Sequence, residues 1–193
     1  MSYNRRALLT LTGVLVAAIL AGPWIVGFAR EGRNVGTPNA AHVTLHNLGG
    51  SKIGQARLTR QSGDVSVDIS VHSLTPGFHG FHVHSVGACD AAGGFTSAGG
   101  HFNPAGSHHP DHAADMPVLF VKQDGSGSAS FVTDRFEISD LFDADGSALI
   151  IHAAPDNYAN IPARYAPAGP DEATLATGDA GPRAACGVVE RRY

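Results

Sequence analysis

Histidine stands out in this sequence of 193 residues, because the chain has 11 histidines against 13 lysines and arginines together. Two of them form the triplet His82-Val83-His84. In a β-strand, side chains at positions i and i+2 point to the same face, about 6.6 Å apart along the chain. Two neutral imidazoles on one face supply half of a copper or zinc site. The alternative is a strand whose histidines simply face water.

A second segment, His109-Pro110-Asp111-His112-Ala113-Ala114-Asp115, brings imidazoles and carboxylate side chains together within seven residues. A loop of this kind can fold around a small cation, and one further imidazole from elsewhere would complete a tetrahedral zinc site. The same residues could instead form a solvated polar loop or a loose metal-scavenging tract. The spaced imidazoles and the intervening proline favour a built site over a simple run of histidines.

The elements that must position these residues are predicted to be β-strands. Apolar and polar residues alternate from residue 42 onward, as in half-buried strands, and no amphipathic helix of ten or more residues is indicated there. The turns Gly49-Gly50 and Gln61-Ser62-Gly63-Asp64 indicate antiparallel hairpins. Strands are predicted at residues 42–46, 53–59, 65–71, 80–86, 117–122, 128–132, 148–152 and 186–190. The sequence therefore predicts an all-β sandwich or barrel of about eight strands.

Two long stretches, residues 87–115 and 153–184, lack this alternation and are rich in glycine, proline, alanine and aspartate. Loops longer than about 12–15 residues inside a compact domain are usually functional or disordered. The first stretch contains the histidine-rich segment described above. We therefore expect the chemistry of the molecule to lie in these two loops.

The first 29 residues are typical of an export signal or a membrane anchor. Residues 7–29 carry no charge, and Arg5 and Arg6 precede them, as in the basic and apolar regions of a signal. As a helix, these residues would be about 35 Å long, enough to span a bilayer. The segment could be a cleaved signal or a retained anchor, and the sequence does not define the export route. The remaining alternative is a helix buried in the core. Residues 30–40 are interpreted as a linker.

Charge and cysteine content restrict the partners and the compartment. Residues 34–193 carry a net charge of −7, against −4 for the whole chain, so nucleic acid is excluded as the main partner. Two cysteines permit one disulfide and exclude a four-cysteine zinc site. We expect an exported domain, in the periplasm, the cell envelope or the extracellular space, that touches a membrane only through its N-terminal segment if that segment is uncleaved.

Five ordered motifs between residues 42 and 190 together resemble the copper/zinc superoxide dismutases. They are Gly80-Phe81-His82-Val83-His84, Gly100-His101-Phe102-Asn103-Pro104, His112-x-x-Asp115, Ile150-Ile151-His152 and Gly178–Val189. The resemblance implies a Greek-key β-barrel at residues 41–193, with copper and zinc as cofactors. It also implies that superoxide is the substrate and is disproportionated to dioxygen and hydrogen peroxide.

The resemblance assigns metal ligands residue by residue. The copper ligands match His82, His84, His101 and His152. The zinc ligands match His101, His109, His112 and Asp115. His101 would therefore bridge both metals, and the family also implies a catalytic role for it as a proton carrier. His109 is preferred to His108 because it lies eight residues after His101, a spacing found in the family, and His108 is the alternative zinc ligand.

Other residues receive supporting roles from the same resemblance. Asp156 matches a carboxylate that links a copper-ligand histidine to a zinc-ligand histidine, and Arg183 matches the catalytic arginine that attracts a small anion. Cys89 and Cys186 match the family's disulfide, and His79 matches a buried structural histidine. The histidines that match no ligand are His42, His46 and His72.

The sequence departs from the family pattern in three places. Only two residues separate His109 from His112, Ser85 follows the first histidine pair, and Ala176 stands where many eukaryotic members carry a substrate-guiding lysine. Two other functions remain open. One is a non-enzymatic copper/zinc-binding or copper-delivery protein of the same fold, and the other is a structural envelope domain whose loop scavenges zinc and does not need His152. A monomer and a homodimer are both compatible with the sequence.

Overall fold

The computed structural model describes residues 38–192, so the predicted signal or anchor at residues 1–29 lies outside the described residues. The strands are β1 (Ala40–Asn47), β2 (Lys52–Gln61), β3 (Asp64–Val71), β4 (Gly77–His79), β5 (Phe81–His84), β6 (Leu119–Val121), β7 (Gly127–Thr133), β8 (Ala148–His152) and β9 (Arg183–Arg192). The helical segments are the 3-10 turns Thr96–Ala98 and Ile138–Phe142 and one α-helix, α1 (Glu172–Thr177). Within residues 38–192, no helix has the length and apolar character needed to cross a membrane.

The nine strands form one antiparallel sheet in the order β4-β6-β7-β3-β2-β1-β9-β8-β5. Because only Gly80 separates β4 from β5 in the chain, the two ends of this order are adjacent and the sheet curls into a nearly closed barrel. The pairings of β3 with β7 and of β1 with β9 join strands that are distant in the chain, as Greek-key crossovers do. The predicted all-β Greek-key barrel is therefore confirmed.

The sheet has one strand more than predicted, because the predicted strand at residues 80–86 begins earlier and is interrupted at Gly80. A Cβ atom on Gly80 would lie 2.6 Å from the Ala180 Cβ and 3.2 Å from the His82 Cε1. Only glycine lets the backbone approach the loop this closely. The strand therefore pairs with β6 before Gly80 and with β8 after it.

The barrel interior is filled by alternate residues of the strands, as the period-two pattern predicts. In β1 and β3 these are Ala41, Val43, Leu45, Val65, Val67, Ile69 and Val71. Strand β5 is buried on both faces, because Phe81 and Val83 join the core while His82 and His84 point away from it and are covered by the loops. The barrel thus holds a pair of histidines against the long loops.

The predicted disulfide between Cys89 and Cys186 is present and joins the 87–115 loop to β9. The two cysteines are 97 residues apart in the chain. Closing a loop of that length stabilises a fold by about 4–5 kcal/mol in the chain-entropy model. A disulfide of this kind is consistent with an exported protein.

Candidate metal centre

Strand β5 is the element around which the candidate ligands assemble. On one side it pairs with β8, whose last residue, His152, donates its backbone N–H to the Gly80 carbonyl oxygen at 2.8 Å. On its other side, short antiparallel bridges join His84 to His101 and His82 to Asp115. The strand therefore brings ligands from two distant parts of the chain next to its own histidine pair.

Four of these histidines form the first cluster, which consists of His82, His84, His101 and His152. All four are buried, and one ring nitrogen of each lies within 4.8 Å of the others. These nitrogens have no hydrogen-bond partner among the described residues, and they are His82 Nδ1, His84 Nε2, His101 Nε2 and His152 Nε2. Buried polar atoms are rarely left without a partner. Four such nitrogens that converge on one point therefore indicate a shared partner, such as a metal ion.

The second nitrogen of three of these rings is held by an oxygen atom. His82 Nε2 lies 2.5 Å from Asp156 Oδ2, while His84 Nδ1 donates to the Gly99 carbonyl oxygen and His152 Nδ1 to that of Gly181, both at 2.9 Å. A ring that donates from one nitrogen offers a lone pair at the other. Four imidazole nitrogens of this kind form a donor set that suits Cu²⁺.

Burial keeps the same three rings uncharged. Desolvation lowers the pKa of His82 to about 4, that of His84 to about 2 and that of His152 to about 3, and the hydrogen bonds to these rings compensate only in part. The rings are therefore neutral at pH 7. A metal ligand must be neutral imidazole, so these three rings are ready to bind without first losing protons.

The second cluster consists of His101, His109, His112 and Asp115. The Asp115 carboxylate lies 2.8 Å from the Nδ1 atoms of His101 and His109 and 3.1 Å from that of His112. The contact with His109 lacks hydrogen-bond geometry. Three imidazole nitrogens and one carboxylate form a ligand set typical of a closed tetrahedral zinc site. Burial alone would raise the pKa of Asp115, but His101 and His109 hold it well below its usual range, so the carboxylate is ionised.

His101 belongs to both clusters, because its Nε2 atom faces the first and its Nδ1 atom faces the second. Its ring centroid lies 4.1 Å from that of His82 and 5.1 Å from that of His112. One imidazole is therefore shared between two groups of ligands. Both donor sets fit the metals that the sequence predicts, copper for the first cluster and zinc for the second.

Asp156 connects the two clusters through the nitrogens that do not face them. Its Oδ2 atom pairs with His82 Nε2, and its Oδ1 atom accepts hydrogen bonds from His109 Nε2 at 2.8 Å and from the Tyr158 backbone at 2.7 Å. Burial would lower the pKa of His109, but Asp115 and Asp156 raise it to about 9. Burial would likewise raise the pKa of Asp156, but His109 and His82 hold it well below its usual range.

Arg183, the first residue of β9, lies beside the first cluster. Its guanidinium donates to the carbonyl oxygens of Phe95 and Gly99, which flank the 3-10 turn of the disulfide-tethered loop. The Gly99 oxygen also accepts from His84 Nδ1, so arginine and ligand share one acceptor. The arginine is half-buried, and its hydrogen bonds to two backbone carbonyl oxygens fix its position.

The remaining histidines lie outside both clusters. His79 is buried behind His152, with its Nδ1 2.6 Å from the His152 carbonyl oxygen and its Nε2 2.8 Å from that of Thr75. His108 is exposed next to its buried neighbour His109. The others that belong to neither cluster are His42, His46 and His72.

Gly178 begins the last of the five sequence motifs, but no role was assigned to it, and the site requires it. This residue ends α1 with a φ of +59°, and a Cβ atom there would lie only 2.0 Å from Asp156 Oδ1 and 2.4 Å from His109 Nε2. Both the backbone conformation and the space exclude a side chain. A glycine at the end of a helical pattern is a usual helix stop, but its contact with Asp156 depends on the tertiary fold.

The fold and the site define the class of this protein, a Greek-key β-barrel that carries under its loops two groups of potential metal ligands with one histidine in common. A family model described as copper/zinc superoxide dismutase (SODC) matches residues 52–189. The chain belongs to the copper/zinc superoxide dismutase family, whose metals are copper and zinc and whose members are oxidoreductases.

Curated relatives and solved structures agree with that assignment. Superoxide dismutase [Cu-Zn] of Mycolicibacterium paratuberculosis is 43% identical over 169 residues, covering 78% of this chain and 74% of that protein. The protein of the same name from Mycobacterium tuberculosis is 41% identical over 178 residues, covering 82% and 74%. A SOD-like protein from Bacillus subtilis has a TM-score of 0.61 at 32% identity, covering 76% of this chain and 96% of that one. The clock protein EA4 has a TM-score of 0.66 at 29% identity, covering 81% and 97%.

Proposed function

We propose that this chain disproportionates two superoxide anions, with two protons, to dioxygen and hydrogen peroxide. The ligands of copper would be His82, His84, His101 and His152. The ligands of zinc would be His101, His109, His112 and Asp115. The observation that carries the proposal is the convergence of four buried ring nitrogens that lack hydrogen-bond partners among the described residues, one of them on a ring shared with the second cluster.

The two clusters have different chemical tasks. Copper, when bound, supplies one-electron chemistry by cycling between its +2 and +1 states. The second cluster has three imidazoles and a carboxylate, a complete tetrahedral set, so it leaves no position for a substrate and acts structurally. Because the overall reaction consumes two protons, a group that can hold a proton beside the substrate is needed. His101 Nε2 is that atom, since its other nitrogen stays directed at Asp115.

Arg183 attracts the substrate anion. The domain from residue 34 onward carries a net charge of −7, so superoxide meets overall repulsion. A fixed guanidinium in a cleft of low dielectric focuses an anion locally despite that repulsion. The bonds of Arg183 to the Phe95 and Gly99 carbonyl oxygens hold the charge next to the first cluster, which supports a catalytic role for it.

Asp156 orients one ring of each cluster. By pairing with the Nε2 atoms of His82 and His109, it orients both rings so that their Nδ1 atoms face a metal. His82 is already neutral, whereas a metal at His109 must displace the Nδ1 proton. His109, rather than His108, is the proposed zinc ligand, because its Nδ1 atom lies 2.8 Å from the Asp115 carboxylate. The exposed side chain of His108 belongs to neither ligand group.

The proposal includes export of the domain. Residues 1–29 are proposed to be a signal or membrane anchor, residues 30–40 a linker and residues 41–193 the catalytic domain, in the periplasm or elsewhere in the cell envelope. The disulfide supports an oxidising compartment. Fractionation of cells that express the full chain tests this part, because recovery of the mature protein in the cytoplasmic fraction would contradict it.

Metal analysis together with superoxide removal by the purified full chain tests the proposed reaction. We expect copper and zinc in equal amounts and rapid removal of superoxide. His152→Ala should lose copper and activity but keep zinc, whereas His72→Ala, at an exposed site outside both clusters, should change neither. Zinc binding without copper, and without activity, would contradict the proposal and favour a zinc-scavenging domain. Both metals bound without activity would favour the non-enzymatic copper-delivery protein.

A further inference from the structure

Arg135, in the turn that follows β7, contacts the loop that carries two proposed zinc ligands. Its Nη1 atom donates to the carbonyl oxygen of Pro110 at 2.8 Å and to that of His112 at 3.2 Å. Its Nη2 atom lies 3.5 Å from Asp111 Oδ1. One guanidinium thus bridges the two carbonyl groups on either side of Asp111, although 23 residues or more separate it from them in the chain.

The contact matters because these two carbonyl groups belong to residues at or next to the proposed zinc ligands. Pro110 directly follows the proposed zinc ligand His109, and His112 is itself a proposed ligand. Only two residues separate the two ligands, so a small backbone shift at either carbonyl would move an imidazole. The two hydrogens of the planar Nη1 group point in fixed directions, so this one nitrogen can hold both acceptors in a fixed relation, and the charge strengthens both hydrogen bonds.

The ion pair with Asp111 is not the source of this effect. Its two side chains are 40% and 76% exposed, and the distance between their charged groups is 3.5 Å. Exposed pairs of this kind contribute about 0–1 kcal/mol and are screened by salt. The hydrogen bond to the His112 carbonyl is partly buried, so it loses less to water. The hydrogen bond to the Pro110 carbonyl is exposed, so any effect on the loop should come mainly from the His112 carbonyl contact.

Arg135 lies at a cleft beside the loop. A cleft of about 530 Å³ separates the loop from the end of β7, and it reaches the zinc-ligand candidate Asp115. The residues that line it include Pro110, Asp115, Met116, Phe131, Arg135 and Tyr158. Arg135 crosses from the β7 side to the loop backbone. It is therefore placed to resist movement of the loop away from the barrel.

We propose that Arg135 is a positioning residue that holds the zinc-ligand loop against the barrel and thereby sets how firmly zinc is retained. The proposal rests on the zinc site given under the proposed function. Loss of a group that orients a ligand from outside typically weakens metal binding about 10–100-fold. We expect an effect of that size on zinc and little effect on copper, because Arg135 contacts no residue of the first cluster among its hydrogen bonds in residues 38–192.

The test is the rate at which the copper- and zinc-loaded full chain releases zinc to a colorimetric chelator. We expect Arg135→Ala to release zinc about 10–100-fold faster than the wild type. Arg135→Lys should restore part of the retention, because its ammonium group can still donate to one carbonyl. Two controls should match the wild type. Asp111→Asn removes only the exposed ion pair, and Arg60→Ala removes the exposed contact of another arginine with Glu137.

A second readout separates positioning from general destabilisation. Tetrahedral Co²⁺ in the zinc site gives a visible absorption spectrum that reports ligand geometry, and we expect Arg135→Ala to change it. The melting temperature of the metal-free variant should stay close to that of Arg60→Ala, while the rise caused by zinc should be smaller than in the wild type. An equal loss of stability with and without metal, with an unchanged Co²⁺ spectrum, would overturn the positioning role.

The outcomes also separate this proposal from the function on which it depends. A wild-type chain that binds no zinc would contradict the zinc site itself. A wild-type chain that binds zinc, with an Arg135→Ala variant that releases it at the same rate, would overturn the role of Arg135 alone. Release from Asp111→Asn as fast as from Arg135→Ala would show that the ion pair, and not the carbonyl contacts, holds the loop. If Arg135→Ala does not fold, Arg135→Lys carries the comparison, with several-fold faster release expected.

Discussion

The Nε2 atom of His109 lies 2.8 Å from Oδ1 of Asp156, a residue 47 positions further along the chain. The other oxygen of the same carboxylate pairs with His82, which belongs to the other cluster. A single side chain therefore fixes one ring in each candidate metal site. Its loss should affect both metals together.

We expect Asp156→Asn to weaken the retention of copper and of zinc about 10–100-fold, because an amide has one acceptor oxygen and cannot accept from both rings. Dialysis against graded chelator, followed by metal analysis, measures the effect. Asp124→Asn is the control, because that carboxylate is exposed, pairs with Lys122 and Ser126, and belongs to neither cluster. Loss of one metal with full retention of the other would contradict the shared role.

Arg183→Ala should slow superoxide removal about tenfold and reduce its dependence on ionic strength, because electrostatic attraction of an anion is what the guanidinium supplies. Metal content should not change. Rates measured across a series of salt concentrations provide the test. Arg164→Ala removes an arginine that stacks on the exposed Tyr165, and it should behave as the wild type. A slow rate with unaltered salt dependence would show that the arginine does not act by attraction.

Replacing Cys89 and Cys186 together by serine should lower the free energy of unfolding by about 4 kcal/mol. The bridge closes a long loop, so its removal increases the entropy of the unfolded chain. It should also loosen the segment that includes Phe95 and Gly99, the acceptors of Arg183, and thereby slow catalysis. Urea unfolding of the metal-free proteins gives the first value, and the reduced wild type should match the variant. Equal stability would show that the fold does not depend on the bridge.

Acid should destabilise the metal-free protein, beginning near pH 6.5. Burial lowers the pKa of His82 to about 4, that of His84 to about 2 and that of His152 to about 3, from 6.5 in an unfolded chain. Below pH 6.5 the unfolded chain therefore binds more protons than the folded chain, and the free energy of unfolding falls as the pH falls. The slope should approach roughly 1 kcal/mol per pH unit for each ring, down to about pH 4.

The contribution of His109 to the pH dependence of the free energy of unfolding has the opposite sign. Its pKa is raised to about 9, because Asp115 and Asp156 outweigh the effect of burial. Its stabilising contribution to the folded state is fully present below pH 6.5 and is lost as the pH rises towards 9. Urea unfolding of the metal-free chain across pH 4–9 should therefore show a maximum near pH 6.5. His84→Phe should reduce the acid slope and leave the alkaline slope unchanged. A stability that is flat below pH 6.5 would contradict the neutral, buried state of these rings.

Local patterns in the sequence predicted the strands and the histidine pair well, because alternation and i, i+2 spacing are properties of a single strand. His82 and His84 do share a face, and the disulfide joins the expected cysteines. The separate strand β4 was missed, because the break at Gly80 comes from the approach of Ala180, a hundred residues away. Arg135 was missed for a similar reason. An isolated arginine in a turn carries no local sign of the carbonyl groups that it will meet.

Gly178 provides the sharpest test of how closely the loop at residues 153–184 packs against the site. It has a φ of +59°, and a methyl group there would collide with Asp156 Oδ1 and His109 Nε2. Gly106 has a nearly equal φ of +64°, but a methyl group there would meet no atom within 4 Å.

Substitution of either glycine by alanine should therefore cost about 1–2 kcal/mol of backbone strain. Only Gly178→Ala should also weaken metal binding, because it displaces the carboxylate that orients His82 and His109. Unfolding in urea and chelator competition on both variants separate the two effects. Equal metal retention in the two would mean that the loop can move aside without disturbing Asp156.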